Sequence, residues 1–256
     1  MITNKEKPLT PNLTAIERLT SEISRAHISS VVLIHGGGSF GHPIAKQYSI
    51  DKGYRDQSQI MGFSKTRQAM MTLNKFVVDS LILHNIPAVT VQPSSCTITK
   101  QGRIEVMEEK PLWKLLEMGF VPVLHGDAVF DSDMGFAILS GDQLVSSLAT
   151  KLEAERIIIG IDVDGLYTSD PKTDANARLI QHIDHQELTK MQHELGGIRV
   201  PDVTGGMLGK VLELMPAVEK EIPIIIVNAV KPGNVFKALK GEEVVGTVIQ
   251  RGEEVA

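Results

Sequence analysis

Hydrophobic positions follow two alternating patterns along the chain. Apolar residues three or four positions apart predict amphipathic helices, and short apolar runs predict buried strands. The predicted helices are one carrying Leu13, Ile16, Leu19 and Ile23, and others over 58–84, 110–119, 141–152 and 208–220. The predicted strands cover 30–34, 87–92, 120–124, 156–161, 223–228 and 246–250. Apolar strands separated by helices favour a mainly parallel sheet covered on both faces.

In two further segments apolar and polar residues alternate on either side of a turn, a pattern that predicts β-hairpins. Residues 96–106 turn at Gln101-Gly102, and residues 127–139 form a second alternating pair. Ser140 is placed to cap the helix that follows. The sequence has no repeat, low-complexity tract or linker, so we expect a single domain over 1–256.

Composition narrows the class of protein. The 256 residues carry a formal net charge of -5, which argues against a general nucleic-acid-binding surface. Cys96 is the single cysteine, so no intrachain disulfide forms and a reducing compartment is expected. No run of apolar residues is long enough to span a membrane, and the polar N-terminus does not resemble a signal peptide. We therefore expect a cytoplasmic protein without a membrane partner.

The segment IHGGGSFGHP, 34–43, directly follows a predicted strand. Glycines between a strand and a helix let backbone N–H groups approach an anion, and the helix dipole adds attraction. Gly36, Gly38 and Gly41 also match the dinucleotide pattern G-x-G-x-x-G, but no second strand ending in an acid follows. The turn therefore favours a phosphate, and His42 is a candidate hydrogen-bond donor to it. A tight turn without a ligand is the simpler alternative.

A second glycine cluster, DVTGGMLGK, covers 202–210. It departs from the Walker pattern, because Thr204 stands where that pattern needs glycine and Val211 where it needs Ser or Thr. What remains is a glycine turn that opens a helix, with Lys210 able to reach a phosphate as a point charge. The alternative is an ordinary solvated lysine.

Acidic residues follow two other predicted elements. Asp142 lies in the first turn of a helix, where a carboxylate also simply stabilises the helix dipole. Asp162 and Asp164 come where an isoleucine-rich strand ends, and ligands of open α/β sheets bind at the carboxyl ends of strands. Loops rich in Asp, Gly and Pro are also common as plain turns, so this segment is ambiguous by itself.

Taken together, these motifs resemble the amino acid kinase superfamily. HGGGSFGHP, HGD, LSGDQL, DVDGLYTSDPK and DVTGGMLGK occur in the order found in that superfamily, and the resemblance covers nearly the whole chain. The Ser-Phe-Gly-His ending is similar to the isopentenyl phosphate kinases in particular, mainly through His42.

The resemblance implies a fold and a reaction. The fold is an αβα sandwich with a largely parallel central sheet, with the acceptor in the N-terminal half and ATP in the C-terminal half. The reaction is transfer of a phosphoryl group from ATP to isopentenyl phosphate, giving isopentenyl diphosphate and ADP in an alternative mevalonate route to isoprenoids. ATP and Mg²⁺ are the implied cofactors, no metal-binding side chains are assigned, and a homodimer is expected. Such chemistry needs lysines, backbone N–H groups and Mg²⁺ but no covalent nucleophile.

The resemblance also implies roles for individual residues. The acceptor phosphate would lie against Gly36 and Gly37 and accept a hydrogen bond from His42, while Gly38 would contact the transferring group. Gly126 would close the acceptor pocket, and Asp142 would hold catalytic lysines in place. The residues expected at the nucleotide are Asp162, Asp164, Tyr167, Gly206 and Lys210.

One departure concerns the start of the chain. The family begins with a strand ending in Lys-x-Gly-Gly-Ser, and MITNKEKPLTPN resembles the segment just after it. Lys5 matches a second family lysine, and the resemblance implies that it is a catalytic residue near the transferring group. The first strand is therefore expected to be missing from the chain as given. A start placed too far downstream, a fragment, and a true absence of the strand are the alternatives.

Two other functions stay open. One is a kinase of the same fold acting on a different small phosphate or phosphonate, such as fosfomycin. The other is a nucleotide-binding protein of this fold without catalysis. An apolar pocket would favour isopentenyl phosphate, and the residues that could line one lie in the long predicted helix, although a stripe of this kind is more often plain core: Met70, Met71, Phe76, Val77 and Val78.

Overall fold

Two units make up the chain in the computed structural model, residues 1–144 and 145–256. The structure describes residues 1–195 and 205–252. No helix within these ranges is long and apolar enough to cross a membrane. The prediction of a single domain over 1–256 stays a prediction, as does that of a missing first strand.

The first unit contains most of the described helices and both predicted hairpins. Its elements are α1 Leu13–Ala26, β1 Leu33–His35, α2 Gly38–Gln47, α3 Ser58–Leu83, β2 Ala88–Thr90, β3 Thr97–Lys100, β4 Arg103–Met107, α4 Lys110–Glu117, β5 Val121–His125, β6 Asp127–Asp131, β7 Gly135–Leu139 and the start of α5 Gly141–Lys151.

A three-stranded parallel sheet in the order β1-β5-β2 lies at the centre of this unit. Helix α3 packs against this sheet, because the apolar stripe of the helix contacts apolar side chains of α1, β2 and β5. Val77 and Leu81 of α3 are buried with Ile16, Ala88 and Val123. The stripe of the long helix is thus partly core, as its spacing indicates.

A second sheet has the order β4-β3-β6-β7 and is built from two hairpins. Strands β3 and β4 pair antiparallel, as do β6 and β7, which confirms both predicted hairpins. The turn between β3 and β4 has positive φ at Gln101 (48°) and Gly102 (74°), as two-residue type I′ turns require.

Asp131, at the end of β6, joins the turns of the two hairpins. Its carboxylate accepts hydrogen bonds from the Thr99 hydroxyl at 2.8 Å, from the Gly102 N–H at 2.8 Å and from the Met134 N–H at 2.8 Å. Burial alone would raise the pKa of Asp131, but these hydrogen bonds outweigh it and lower the pKa to about 2. The ionised carboxylate therefore stabilises the folded protein.

We expect Asp131→Asn to lower the free energy of unfolding at pH 7 by about 2 kcal/mol. The folded-state pKa lies below the unfolded one, so this stability is present above about pH 4 and is lost as the pH falls toward 2. Urea unfolding at pH 7, 4 and 3 measures both effects. Asp133→Asn, at an exposed position of the same turn, is the control. Equal stability of the two variants at pH 7 would contradict the assignment.

The second unit is organised around a mixed sheet. Its elements are β8 Ile157–Ile161, β9 Leu166–Tyr167, β10 Leu179–Ile180, β11 His182–Asp184, α6 His185–Leu195, α7 Gly205–Glu219, β12 Ile224–Asn228, α8 Asn234–Lys240 and β13 Gly246–Gln250. The strand order is β11-β13-β12-β8, with β12 parallel to β8 and antiparallel to β13. Isoleucines of β8 and β12 pack with Leu214 and Val218 of α7 in one core.

The fold class predicted from the sequence, α/β with parallel strands, is confirmed by these sheets. The predicted helix over 58–84 corresponds to α3, and that over 208–220 corresponds to α7, which begins earlier. The observed strand β1, Leu33–His35, is shorter than the strand predicted over 30–34 and ends one residue later. Five described elements of the second unit were not predicted: β9, β10, β11, α6 and α8.

Candidate active site

The glycine-rich turn connects the end of β1 to the start of α2. Gly38 has φ of 47°, where a side chain is strained, and a Cβ there would overlap the Thr3 side chain. Gly37 and Gly41 lie against Met70, whose Sδ would be 3.0 Å and 2.8 Å from a Cβ at these positions. A Cβ on Gly36 would meet nothing within 4 Å. The turn is therefore packed on one side and open at Gly36.

The N-terminus of α2 provides the electrostatic part of this site. The helix dipole favours an anion in front of the first turn. His42 is exposed and lies four residues after Gly38, on the same face of the helix. The buried Ser39 hydroxyl has no hydrogen-bond partner among the described residues. The sequence reasoning passed over this serine, although it stands inside the glycine motif.

The N-terminal loop carrying Lys5 is attached to the same helix. Pro43 has no N–H, so the Ser39 carbonyl lacks its usual partner within the helix. The Leu9 N–H donates to that carbonyl instead, at 3.2 Å, and the Ser39 N–H donates to the Thr3 hydroxyl at 3.3 Å. The exposed Lys5 therefore lies in a loop whose two ends contact the first turn of α2.

Gly126 and Asp142 come to the same end of the parallel sheet. The Gly126 N–H donates to the His35 carbonyl at 3.1 Å. A Cβ on Gly141, the first residue of α5, would lie 3.7 Å from the same carbonyl oxygen. Asp142 follows directly in the first turn of α5, one residue after Gly141.

Gln143 ties the start of α5 to the turn between β3 and β4. Its backbone N–H donates to the Ser140 hydroxyl at 3.1 Å, which confirms the predicted N-cap. Its side chain accepts from the Ile104 N–H at 2.7 Å and donates to the Gly102 carbonyl at 3.1 Å. The residue beside Asp142 is thus held from two directions.

Acidic side chains of the second unit pair with lysines at the carboxyl ends of parallel strands. Asp164, after β8, is 2.7 Å from Lys231 Nζ and accepts a hydrogen bond from Asn228 Nδ2 at 3.0 Å. The hydrogen bond from Lys231 holds the pKa of Asp164 below its usual range, against the opposing effect of burial. Asp162 lies 3.2 Å from Lys172 Nζ.

The sequence reasoning missed these partners. Asn228 ends β12 and Lys231 follows it. Because β12 lies parallel to β8 in the sheet, both strands end at the same edge. The rule that singled out Asp162 and Asp164 applies equally to this second isoleucine-rich strand. Tyr167 lies in β9, paired with Leu179.

Helix α7 presents the second glycine cluster. Gly206 is in its first turn, and Lys210 is exposed one turn later. Val211 and Leu214 of the same helix are buried in the core that contains β8 and β12. The first part of the motif, residues 202–204, lies outside the described residues.

Within the described residues, no group of three or more His, Cys, Asp or Glu side chains could hold a metal ion. Mg²⁺ commonly binds through substrate phosphates and water with one or two carboxylates, which this arrangement still provides. The predicted residues thus form two groups. Those expected at the acceptor lie together in the first unit, and those expected at the nucleotide lie in the second. Their roles stay predictions.

An open glycine turn at a helix N-terminus, with lysines and carboxylates at strand ends, defines an α/β protein built to bind phosphate groups. The amino acid kinase family matches residues 1–228, and the chain belongs to that family.

Relatives within the family share most of the chain. It is 42% identical over 240 residues to isopentenyl phosphate kinase of Methanothermobacter thermautotrophicus, which covers 91% of this chain and 89% of that protein. It is 33% identical to isopentenyl phosphate kinase of Methanocaldococcus jannaschii, over 99% of this chain and 96% of that protein. An X-ray structure of isopentenyl phosphate kinase superposes with a TM-score of 0.83 at 38% identity, covering 96% of this chain and 94% of the other.

Proposed function

We propose that this chain transfers the γ-phosphoryl group of ATP to isopentenyl phosphate, giving isopentenyl diphosphate and ADP. The observation that carries the proposal is the Gly36–Gly38 turn at the start of α2 with His42 one turn later. It occurs in a chain that is 42% identical to an isopentenyl phosphate kinase over 91% of its length. In the transfer, an oxygen of the acceptor phosphate bonds to the γ-phosphorus of ATP. The bond between that phosphorus and the oxygen bridging to the β-phosphate breaks, and ADP leaves.

The acceptor phosphate is proposed to lie against Gly36 and Gly37, because the turn is open at Gly36. His42 donates a hydrogen bond to it, Gly38 contacts the transferring group, and Gly126 closes the pocket. Both reactants are anions, so these donors act by positioning and by neutralising charge rather than by covalent chemistry.

The nucleotide is proposed to bind in the second unit as MgATP. Gly206 and Lys210 of α7 contact its phosphates. Asp162, Asp164 and Tyr167 border it at the end of β8, and Asp164 keeps Lys231 near that edge through the 2.7 Å ion pair. Mg²⁺ supplies charge neutralisation on the phosphates. Asp142, in the first unit, is proposed to hold the lysines that act on the transferring group.

An assay of ADP formation tests the proposal. The purified chain is given MgATP with isopentenyl phosphate, with fosfomycin or without an acceptor. We expect ADP to form with isopentenyl phosphate, and phosphorus NMR to show the diphosphate product. Turnover of fosfomycin alone would favour the other kinase reading. Nucleotide binding with no turnover of either acceptor would favour a binding protein without catalysis. A cytoplasmic location and a homodimer remain predictions.

We expect Lys210→Gln to raise the KM for ATP by about tenfold or more, because a hydrogen bond to a charged group is lost. Lys210→Arg should restore it only in part, since a planar guanidinium does not replace a compact ammonium. Steady-state kinetics with both substrates measures this. Lys220→Gln, exposed just after the same helix, is the matched control. Kinetics equal to those of the control would make Lys210 an ordinary surface residue.

A further inference from the structure

Two buried histidines lie side by side beneath the glycine turn. His35 ends β1 and His125 ends β5, and the two residues are paired in the parallel register. Their ring centroids are 5.5 Å apart. His125 is fully buried and His35 nearly so. Neither residue was singled out as functional by the sequence, and the proposed reaction does not use either ring directly.

Each ring makes the same hydrogen bond to the glycine that follows it. His35 Nδ1 is 3.1 Å from the Gly36 carbonyl oxygen, and His125 Nδ1 is 2.9 Å from the Gly126 carbonyl oxygen. A carbonyl oxygen can only accept, so Nδ1 carries the proton in both rings.

The surroundings of His35 agree with a neutral ring protonated at Nδ1. Burial is the main reason that the pKa of His35 is lowered to about 4, and His125 lowers it further against the hydrogen bonds to Gly36 and Asn74. In the structure Asn74 Oδ1 lies 3.0 Å from Nε2, and Asn74 Nδ2 donates to the Thr90 hydroxyl at 2.7 Å. A neutral ring protonated at Nδ1 needs a donor at Nε2, which the same amide provides when it is turned over so that its nitrogen faces the ring. The Thr90 hydroxyl then donates to the amide oxygen.

The same hydrogen bond sets the direction of the next backbone N–H. A trans peptide group is planar, with its C=O and N–H pointing in opposite directions. Because the Gly36 carbonyl points to the His35 ring, the Gly37 N–H points away from that ring. His125 fixes the peptide group after Gly126 in the same way.

We propose that His35 and His125 are paired positioning residues, whose Nδ1–H groups hold the Gly36 and Gly126 carbonyls and so keep the glycine turn in the conformation that binds the acceptor phosphate. The kinetic consequence rests on the proposed function. The tautomer and the hydrogen bonds do not, because they concern the protein without substrate.

NMR of ¹⁵N-histidine-labelled protein tests the tautomers directly. We expect the neutral form of each ring to carry its proton on Nδ1, and His35 to stay neutral at pH 5.5. His35→Asn and His125→Asn assign the signals. A proton on Nε2 of either neutral ring, or a charged His35 at pH 7, would overturn the proposal whatever the enzyme does.

Matched substitutions test the effect on the acceptor. His35→Asn keeps an amide nitrogen near the Nδ1 position, whereas the amide of His35→Gln extends toward Nε2. We expect His35→Gln to raise the KM for isopentenyl phosphate by about five- to tenfold, the effect of one lost hydrogen bond, with little change in the KM for ATP. His35→Asn should stay within about threefold of the parent protein, by the same arithmetic.

Three results separate the possibilities. An equal loss in the Asn and Gln variants, or an equal rise in both KM values, would overturn the positioning role. Thermal unfolding identifies a variant that is simply unstable, and the NMR result on the parent protein then decides. If the parent protein does not turn over isopentenyl phosphate, the proposed function fails, while the tautomers still report on the turn.

Discussion

His42→Ala should lower kcat/KM for isopentenyl phosphate by about 10² or more, the effect of removing one well-placed donor in a phosphoryl-transfer site. Side chains of a helix lean toward its N-terminus, so the imidazole of His42 leans toward the Gly36–Gly38 turn one turn earlier. The ring is exposed, so its removal leaves no cavity. Steady-state kinetics with varied acceptor and saturating ATP measures the loss.

Two further variants define what the loss means. His42→Gln restores a donor near the Nε2 position and should recover part of the activity, whereas Gln47→Ala, exposed at the end of the same helix, should change little. Unchanged thermal unfolding of His42→Ala is expected because the side chain is exposed. Near-normal turnover of isopentenyl phosphate by His42→Ala would refute the assignment of His42 to the acceptor phosphate.

Local sequence signals predicted the parts of the fold that they control. The type I′ turn at Gln101-Gly102 and the cap at Ser140 depend on a few neighbouring residues, and both were predicted correctly. Long periodic helices such as α3 were also predicted nearly to their ends. Short elements such as β10 and β11 were missed, because two or three residues carry no period.

The candidate site shows the same difference between local features and contacts between distant segments. The glycine turn is recognisable in the sequence, since a Cβ at Gly38 would overlap Thr3 and a Cβ at Gly37 or Gly41 would crowd Met70. The partners of that turn cannot be recognised in the sequence in this way, because they come from distant segments. His125 reaches His35 through strand pairing, Asn74 reaches it from α3, and Lys231 reaches Asp164 from the next strand of the sheet. The spacing of residues along the chain does not show which of these distant segments come into contact.

Lys5→Ala should lower kcat for phosphoryl transfer by about 10² to 10³, the range for loss of one donor that acts on developing charge. The resemblance to the family assigns Lys5 to the transferring group, and the structure places it in the loop that contacts the first turn of α2 through Thr3 and Leu9. Removing a group that acts mainly in the transition state lowers kcat and kcat/KM together, with little effect on KM. Lys7→Ala is the matched control, because Lys7 is an exposed lysine of the same loop. A phosphate-positioning role for Lys5 predicts a large difference between the two variants in a single-turnover assay of ADP formation. Equal rates for both would show that the loop contributes only its general positive charge, and that the family role of this lysine does not extend to Lys5.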